Sequence, residues 1–288
     1  MTLRRGVRLN PGQIRDLRGR RGGGIAIGGG LGGILLVAVF VLLGGNPGDV
    51  PLDALAGERV GAGQQSERAE ECRTVENPQG RRDCRIVGYV NSVQEYWTGV
   101  FAEGGDRYTE ADTAFFEGGV STSCGQASSA VGPFYCPADG VVYIDLGFFD
   151  QLETQFGAEG GELAEAYVIA HEYGHHVQSL LGVLQGGGRG AGAESRAVRT
   201  ELQADCFAGA WAANAVETGY LEPLTREQIG QALSAAEAVG DDRIQERTQG
   251  QVNPETWTHG SAEQRQEWFL AGLESGDPGR CNTFEADL

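Results

Sequence analysis

Three of the chain's four histidines fall within six residues, in the stretch YVIAHEYGHHVQSLLG, residues 167–182. His171, Glu172 and His175 spell H-E-x-x-H. On a helix, residues four apart lie on one face, one turn apart, so the two imidazoles can reach one metal ion together. Glu172 is offset by one residue, points beside that ion, and can take a proton from water activated there. His176 points about 100° away from His175 around the helix and is not expected to share the ion. Val168, Ile169, Ala170, Val177, Leu180 and Leu181 make the helix largely apolar. Burying two histidines and a glutamate in such a helix is costly without a partner, and a metal supplies one.

Two histidines leave a metal site incomplete. The candidates for a third ligand are His259, Cys206 or a carboxylate. The segment RTELQADCFAG offers Glu201 and Asp205, four residues apart and so on one helical face. Glu201 can bind the metal, while Asp205 can accept the second ring N–H of a ligand histidine and orient it. The result is a His2Glu set with one open position, the layout of catalytic zinc. The helix continues as CFAGAWAANAV, small and apolar, which argues against a solvated face. His259 is the second choice of ligand. Otherwise it can hydrogen-bond the oxyanion of a tetrahedral intermediate, or be a surface histidine at a helix start.

These residues need helices to carry them. Leu163 to Leu181 reads as one long helix, and Ser195 to Glu217 as a second. Between them GVLQGGGRGAGAESR is broken by glycines and reads as a loop, whose Gly182–Gly192 part is a lid or a spacer. Thr225 with Gln228, and Ser261 with Gln264, are capping-box pairs that open two further helices. Upstream, Ile86, Val90, Val93, Trp97 and Phe101 recur at helical spacing and predict a packed amphipathic helix. GVVYIDLGFF, residues 140–149, is β-rich and short and reads as a strand. The expected fold is therefore α+β, mostly helical, with a small sheet. Asp241 and Asp242 in GDDRIQ read as a cap or as ion-pair partners of Arg243 and Arg247.

The 288 residues carry a net charge of −18 and no lysine, all 22 basic residues being arginine. Residues 1–21 hold seven of those arginines against one aspartate, so the rest is strongly acidic and unsuited to nucleic acid. Residues 22–45, GGGIAIGGGLGGILLVAVFVLLGG, contain no charge and are long enough to cross a bilayer, for which about 20 residues suffice. The expectation is one N-terminal transmembrane helix, with residues 1–21 as a basic cytoplasmic tail and everything after 45 outside. Residues 46–68 read as a flexible linker, and residues 69–288 as the catalytic domain. All six cysteines follow the apolar segment, which fits disulfides in an exported domain. Spacing suggests Cys72–Cys84 and Cys124–Cys136, leaving Cys206–Cys281, one of fifteen possible pairings.

With CGQASSAVGPFYCPADGVVYIDLGFF, AHEYGHHVQ, ELQADCFAG, GDDRIQ and HGSAEQRQEWF on the page, the chain resembles the bacterial neutral zinc metallopeptidase family, membrane-anchored H-E-x-x-H zincins with a glutamate third ligand. The resemblance covers most of residues 69–288. It implies zinc on His171, His175 and Glu201, Glu172 as catalytic base, and a zincin-like fold. In such proteins a strand before the metal helix binds the substrate backbone; VVYIDL, Val141–Leu146, is the candidate, its other reading being ordinary core sheet, and Tyr143 on it is a candidate to reach the oxyanion. The expected activity is zinc-dependent endopeptidase action on a peptide or protein outside the cytoplasmic membrane. The competing readings are a non-catalytic zinc-binding envelope scaffold, for which the intact Glu172 has no use, and a cell-wall peptide amidase, which shares the chemistry and differs in substrate.

Overall fold

The structure is a computed structural model that describes residues 1–18, 71–73, 77–185 and 190–288. Its strands are β1 (Ile14–Asp16), β2 (Asp112–Phe116), β3 (Gly119–Thr122), β4 (Gly125–Ser128), β5 (Phe134–Cys136) and β6 (Val141–Asp145). Its helices are α1 (Arg82–Glu103), α2 (Phe148–Thr154), α3 (Glu162–Leu180), α4 (Arg196–Asn214), α5 (Arg226–Ala238), α6 (Asp241–Gln249) and α7 (Ala262–Ser275). The architecture is α+β and mostly helical, as expected. Both capping boxes are formed, at Thr225 with Gln228 and at Ser261 with Gln264. Ser195 caps α4 by accepting from the Val198 N–H.

The helix α3 is buried on nearly every side, which is why its sequence lacks a polar face. It crosses α4 at Gly174, where a Cβ would lie 2.9 Å from the Ala204 Cα. The absent side chain lets the two backbones meet, and so brings the histidines of one helix to the acids of the other. On its other side α4 meets α7 through two more glycines. A Cβ on Gly209 would collide with the Phe269 carbonyl, and one on Gly272 with the Cys206 carbonyl.

The sheet runs β1-β2-β6-β5, with β1, β2 and β6 parallel and β5 antiparallel to β6. Successive strand residues face opposite sides. Phe115, Val142 and Ile144 enter the core shared with the helices, while Ala114, Phe116, Val141 and Tyr143 enter a second cluster with the β3–β4 hairpin. The strand β6 is buried along its whole length and paired on both sides. Val141–Leu146 therefore has no free edge for a substrate; of its two readings the structure bears out the core strand and not the substrate strand. The free edge of the sheet beside α3 belongs to β5.

All three expected disulfides are formed: Cys72–Cys84, Cys124–Cys136 and Cys206–Cys281. They join the start of the domain to α1, the β3–β4 hairpin to β5, and α4 to the C-terminal segment.

The largest departure from expectation is at the N-terminus. Residues 1–18 are not a tail apart from the domain; they are part of it. Met1, Leu3, Leu9 and Ile14 are buried in the main core, each worth about 1.5–3 kcal/mol if fully withdrawn from water. The Leu3 N–H donates to Gln79 Oε1 at 2.8 Å, and the Asn10 N–H to Asn91 Oδ1 at 2.8 Å. Leu3 lies against Gly88, where any Cβ would collide with it. Two of the arginines that read as a cytoplasmic signal are engaged by acids of the domain, Arg15 by Asp112 and Arg18 by Asp83. The expected transmembrane helix, residues 22–45, and the linker, residues 46–68, lie outside the described residues. Among the described residues no helix is long and apolar enough to cross a membrane.

Gly174→Ala tests the helix crossing. Its methyl group meets backbone, so α3 and α4 must separate, at a cost of about 1–3 kcal/mol. Urea unfolding should show that loss, and an unchanged midpoint would mean that the helices do not depend on this contact.

Candidate metal centre

His171 and His175 project from α3 and Glu201 from α4 into one point. One donor atom from each lies within 4.8 Å of the others. His171 Nε2 is 3.2 Å from Glu201 Oε2, and His175 Nε2 is 3.5 Å from Glu201 Oε1. Zinc bound to N and O at about 2.0–2.2 Å in a tetrahedron needs ligand atoms about 3.3–3.6 Å apart, which these separations approach.

The tautomers also suit a metal. Asp205 Oδ1 lies 2.7 Å from His171 Nδ1, and Gln178 Oε1 lies 2.8 Å from His175 Nδ1. The Gln178 amide is oriented by its own donation to the Thr200 carbonyl at 2.6 Å, so its oxygen faces the ring. Each imidazole thus donates from Nδ1 and offers the Nε2 lone pair to the shared point. Among the described residues one other acid-and-cysteine group has metal-like spacing, Cys72, Asp83 and Cys84. Its two sulfurs are bonded to each other and are not available.

The charges follow from this packing. Burial opposes ionisation of Glu201, but the charge of His175 and hydrogen bonds from His171 and His175 outweigh it and hold its carboxyl well below the usual range. Burial likewise opposes the His171 imidazolium, yet Asp205 and Glu201 lift its pKa to about 10 in the metal-free centre. Burial raises the Glu172 pKa, against the nearby charges of His171 and His175. The Tyr135 backbone, on β5, acts weakly in the opposite direction, lowering it.

Asp205 is fully buried and carries more than the histidine. Arg265, from α7, donates to its two oxygens at 2.9 and 3.0 Å, and the Tyr167 hydroxyl donates to it at 2.6 Å. Burial raises the Asp205 pKa, and the charges of Arg265 and His171 bring it below the ordinary value. A buried carboxylate held this way stays ionised and cannot turn from the ring.

His259 sits in the turn before α7. That turn rests on α4 through Gly260, whose φ of +94° suits glycine and whose Cβ position lies 3.2 Å from Val198. Asp241 organises it by accepting the N–H groups of Thr258, His259 and Gly260 at 2.7, 2.6 and 3.1 Å. Asp242 accepts the Ala262 N–H at 2.7 Å. The GDDRIQ aspartates are therefore caps, and their arginine partners are not used. Asp241 Oδ1 also lies 3.2 Å from His259 Nδ1. Burial lowers the His259 pKa, but Asp241 and the neighbouring Glu201 raise it overall.

Tyr143 is not at the centre. It lies on the face of β6 turned away from α3, stacks on Phe134, and donates its hydroxyl to Asp139 at 3.0 Å. The strand pattern gave Tyr143 a position but not a face. Cys206 is used by its disulfide. His176 is turned away from the ligands, as its angular offset predicts, and meets the Tyr135 hydroxyl and the Thr109 carbonyl instead. Three supporting residues escaped the sequence reading. Tyr167 and Gln178 carried a local signal, standing four before His171 and three after His175 on the same helix. Arg265 is distant in the chain, and nothing near it points to Asp205.

The whole arrangement has relatives. Residues 4–284 match the sequence profile of the family described as "Putative neutral zinc metallopeptidase". The chain belongs to this family. The match begins at residue 4, within the N-terminal arm. Among curated proteins the chain is similar to the uncharacterized protein Rv2575 of Mycobacterium tuberculosis, 52% identical over 258 residues, 85% of each chain. It is also similar to the uncharacterized protein YpfJ of Escherichia coli, 40% identical over 284 residues, 94% of this chain and 95% of the other. No solved structure matches it significantly. The zinc implied by the family fits the donor set of His171, His175 and Glu201.

Proposed function

We propose that this protein hydrolyses peptide bonds within polypeptides, with zinc held by His171, His175 and Glu201. The observation that carries the reading is Glu172. It is the one carboxylate of the centre that ligates nothing and pairs with no arginine, and burial gives it a raised pKa. A purely structural zinc site has no use for such a group.

Zinc bound there supplies Lewis-acid chemistry, acidifying water and polarising a carbonyl. Glu172 accepts the proton of the attacking water and delivers it to the leaving amine; a raised pKa makes it a better donor for the second step. The β5 edge runs along α3 and can take a peptide as an added strand, which leaves the scissile carbonyl next to His171 and Glu172. His259, protonated through Asp241, donates from Nε2 to the oxyanion that forms.

We infer further that the domain works outside the cytoplasm, because all six cysteines are paired. The docked arm supports a reading in which residues 1–18 share that compartment, in place of a cytoplasmic tail.

Each reading has its measurement. Glu172→Gln should retain one zinc per chain and lose about 10²–10⁴ of its turnover on a diverse peptide library followed by mass spectrometry. Equal cutting by both proteins would end the general-base assignment. For His259 the sign is set by its raised pKa: the donor is present below that pKa and is lost as pH rises through it. The alkaline limb of kcat/KM should therefore flatten in His259→Phe, at a rate lowered about 10²–10³-fold; an alkaline limb that persists unchanged assigns it to another group. For the arm, cysteines placed at Arg5 and Glu217 should react alike with a membrane-impermeant maleimide on intact cells. Reaction at position 5 only after lysis would return the arm to the cytoplasm.

A further inference from the structure

The third histidine of the motif, His176, has no part in the metal centre, and yet it is 3% exposed and fully engaged. Its Nε2 lies 2.7 Å from the Thr109 carbonyl oxygen, which can only accept. Nε2 must then carry the proton, and Nδ1 is the lone pair that accepts from the Tyr135 hydroxyl at 3.2 Å. The ring is enclosed by Tyr108, Tyr135 and Tyr173, with centroids at 5.6, 5.3 and 6.3 Å. Its tautomer and its orientation are both fixed.

Tyr135 is the middle residue of β5, the free edge beside α3. The strand has three residues and, among the described residues, pairs with β6 alone. A three-residue edge cannot hold itself in place through ladder hydrogen bonds. It is secured instead by side chains: Cys136 is tied to Cys124, and the Tyr135 hydroxyl is tied to His176. His176 stands one residue from the ligand His175, on the rigid buried helix that carries the centre.

We propose that His176 is a positioning residue, which through the Tyr135 hydroxyl sets the distance and register of the β5 edge against α3 and thereby the seat of a peptide substrate. This rests on the peptidase reading above. The paired histidines then divide the labour: His175 faces the metal, and His176 faces the strand that presents the substrate. A displacement of about 1 Å in such a seat is enough to cost 10²-fold in rate. If His176 merely filled space, an aromatic ring of similar size would replace it without consequence.

The test uses the full zinc-loaded chain with Tyr135→Phe, His176→Phe and the double variant. Tyr135→Phe removes one oxygen and keeps the ring, so it reports on the tether even if His176→Phe does not fold. Zinc content should stay at one per chain in Tyr135→Phe. Its kcat/KM for a cleaved peptide should fall at least five-fold, with the larger part of the loss in KM. The double variant should be no worse than the worse single one. In parallel, amide hydrogen exchange over residues 134–136 should quicken at least ten-fold while residues 162–180 keep their protection. Unchanged KM and unchanged exchange in Tyr135→Phe would overturn the proposal, as would a loss that falls on zinc content instead. Wild-type protein that cuts no peptide would overturn the peptidase reading and the substrate seat with it, while unaltered exchange at 134–136 would overturn the tether alone.

Discussion

The fold turns on a burial problem. The crossing of α3 and α4 withdraws two imidazoles and the carboxylates of Glu172, Glu201 and Asp205 from water. A carboxylate buried without a partner is prohibitively costly, so each of these must find a cation or stay protonated. The structure answers differently for each. Asp205 has Arg265, Glu201 has the histidines and the metal they imply, and Glu172 has the nearby charges of His171 and His175 set against its burial. The same demand explains the glycines. Only a side chain as small as hydrogen at Gly174 lets the acids of α4 come within reach of α3, and Gly209 and Gly272 do the same for Arg265 on α7. Backbone proximity is thus what makes the charge pairing possible, and the pairing is what makes the proximity tolerable.

The parts of this that were legible in the sequence are the ones encoded at helical spacing. His171 with His175, and Glu201 with Asp205, are each four residues apart, so a single helix fixes their common face without any knowledge of the rest of the molecule. The disulfides were legible for a similar reason, since two of the three close short loops. Arg265 was not, because it meets Asp205 only after two helices have packed. Tyr143 failed in an instructive way. The alternation of a strand says that neighbouring residues face opposite sides, but not which side meets the helices. That is decided by strand order, and the order β1-β2-β6-β5 is not written locally. Strands of three to five residues, such as β2 and β5, also carry too little periodicity to be told from loop.

The N-terminal arm was misread for a different reason. Seven arginines before an apolar stretch make a strong compositional signal, and composition contains no information about where side chains end up. Met1, Leu3, Leu9 and Ile14 are too widely and irregularly spaced to form a helical or strand pattern, because the arm is mostly extended chain laid over other elements. Two of its arginines, Arg15 and Arg18, are met by Asp112 and Asp83, whose own role is equally invisible until the arm is docked. A domain that appeared to begin after a linker in fact recruits the first residues of the chain to complete its sheet.

The two edges of that sheet are built differently. At one end the edge strand is β1, supplied by the distant arm and paired with β2. At the other end β5 is left open beside the metal helix. An open edge is ordinarily a liability, since it invites pairing with any extended chain. Here the strand is only three residues long and is fixed by a disulfide on one residue and a buried tyrosine hydroxyl on the next. Shortness limits what can pair with it, and rigid attachment limits how. An edge so restricted suits the single extended segment, held in one register, that the proposed peptidase reading requires.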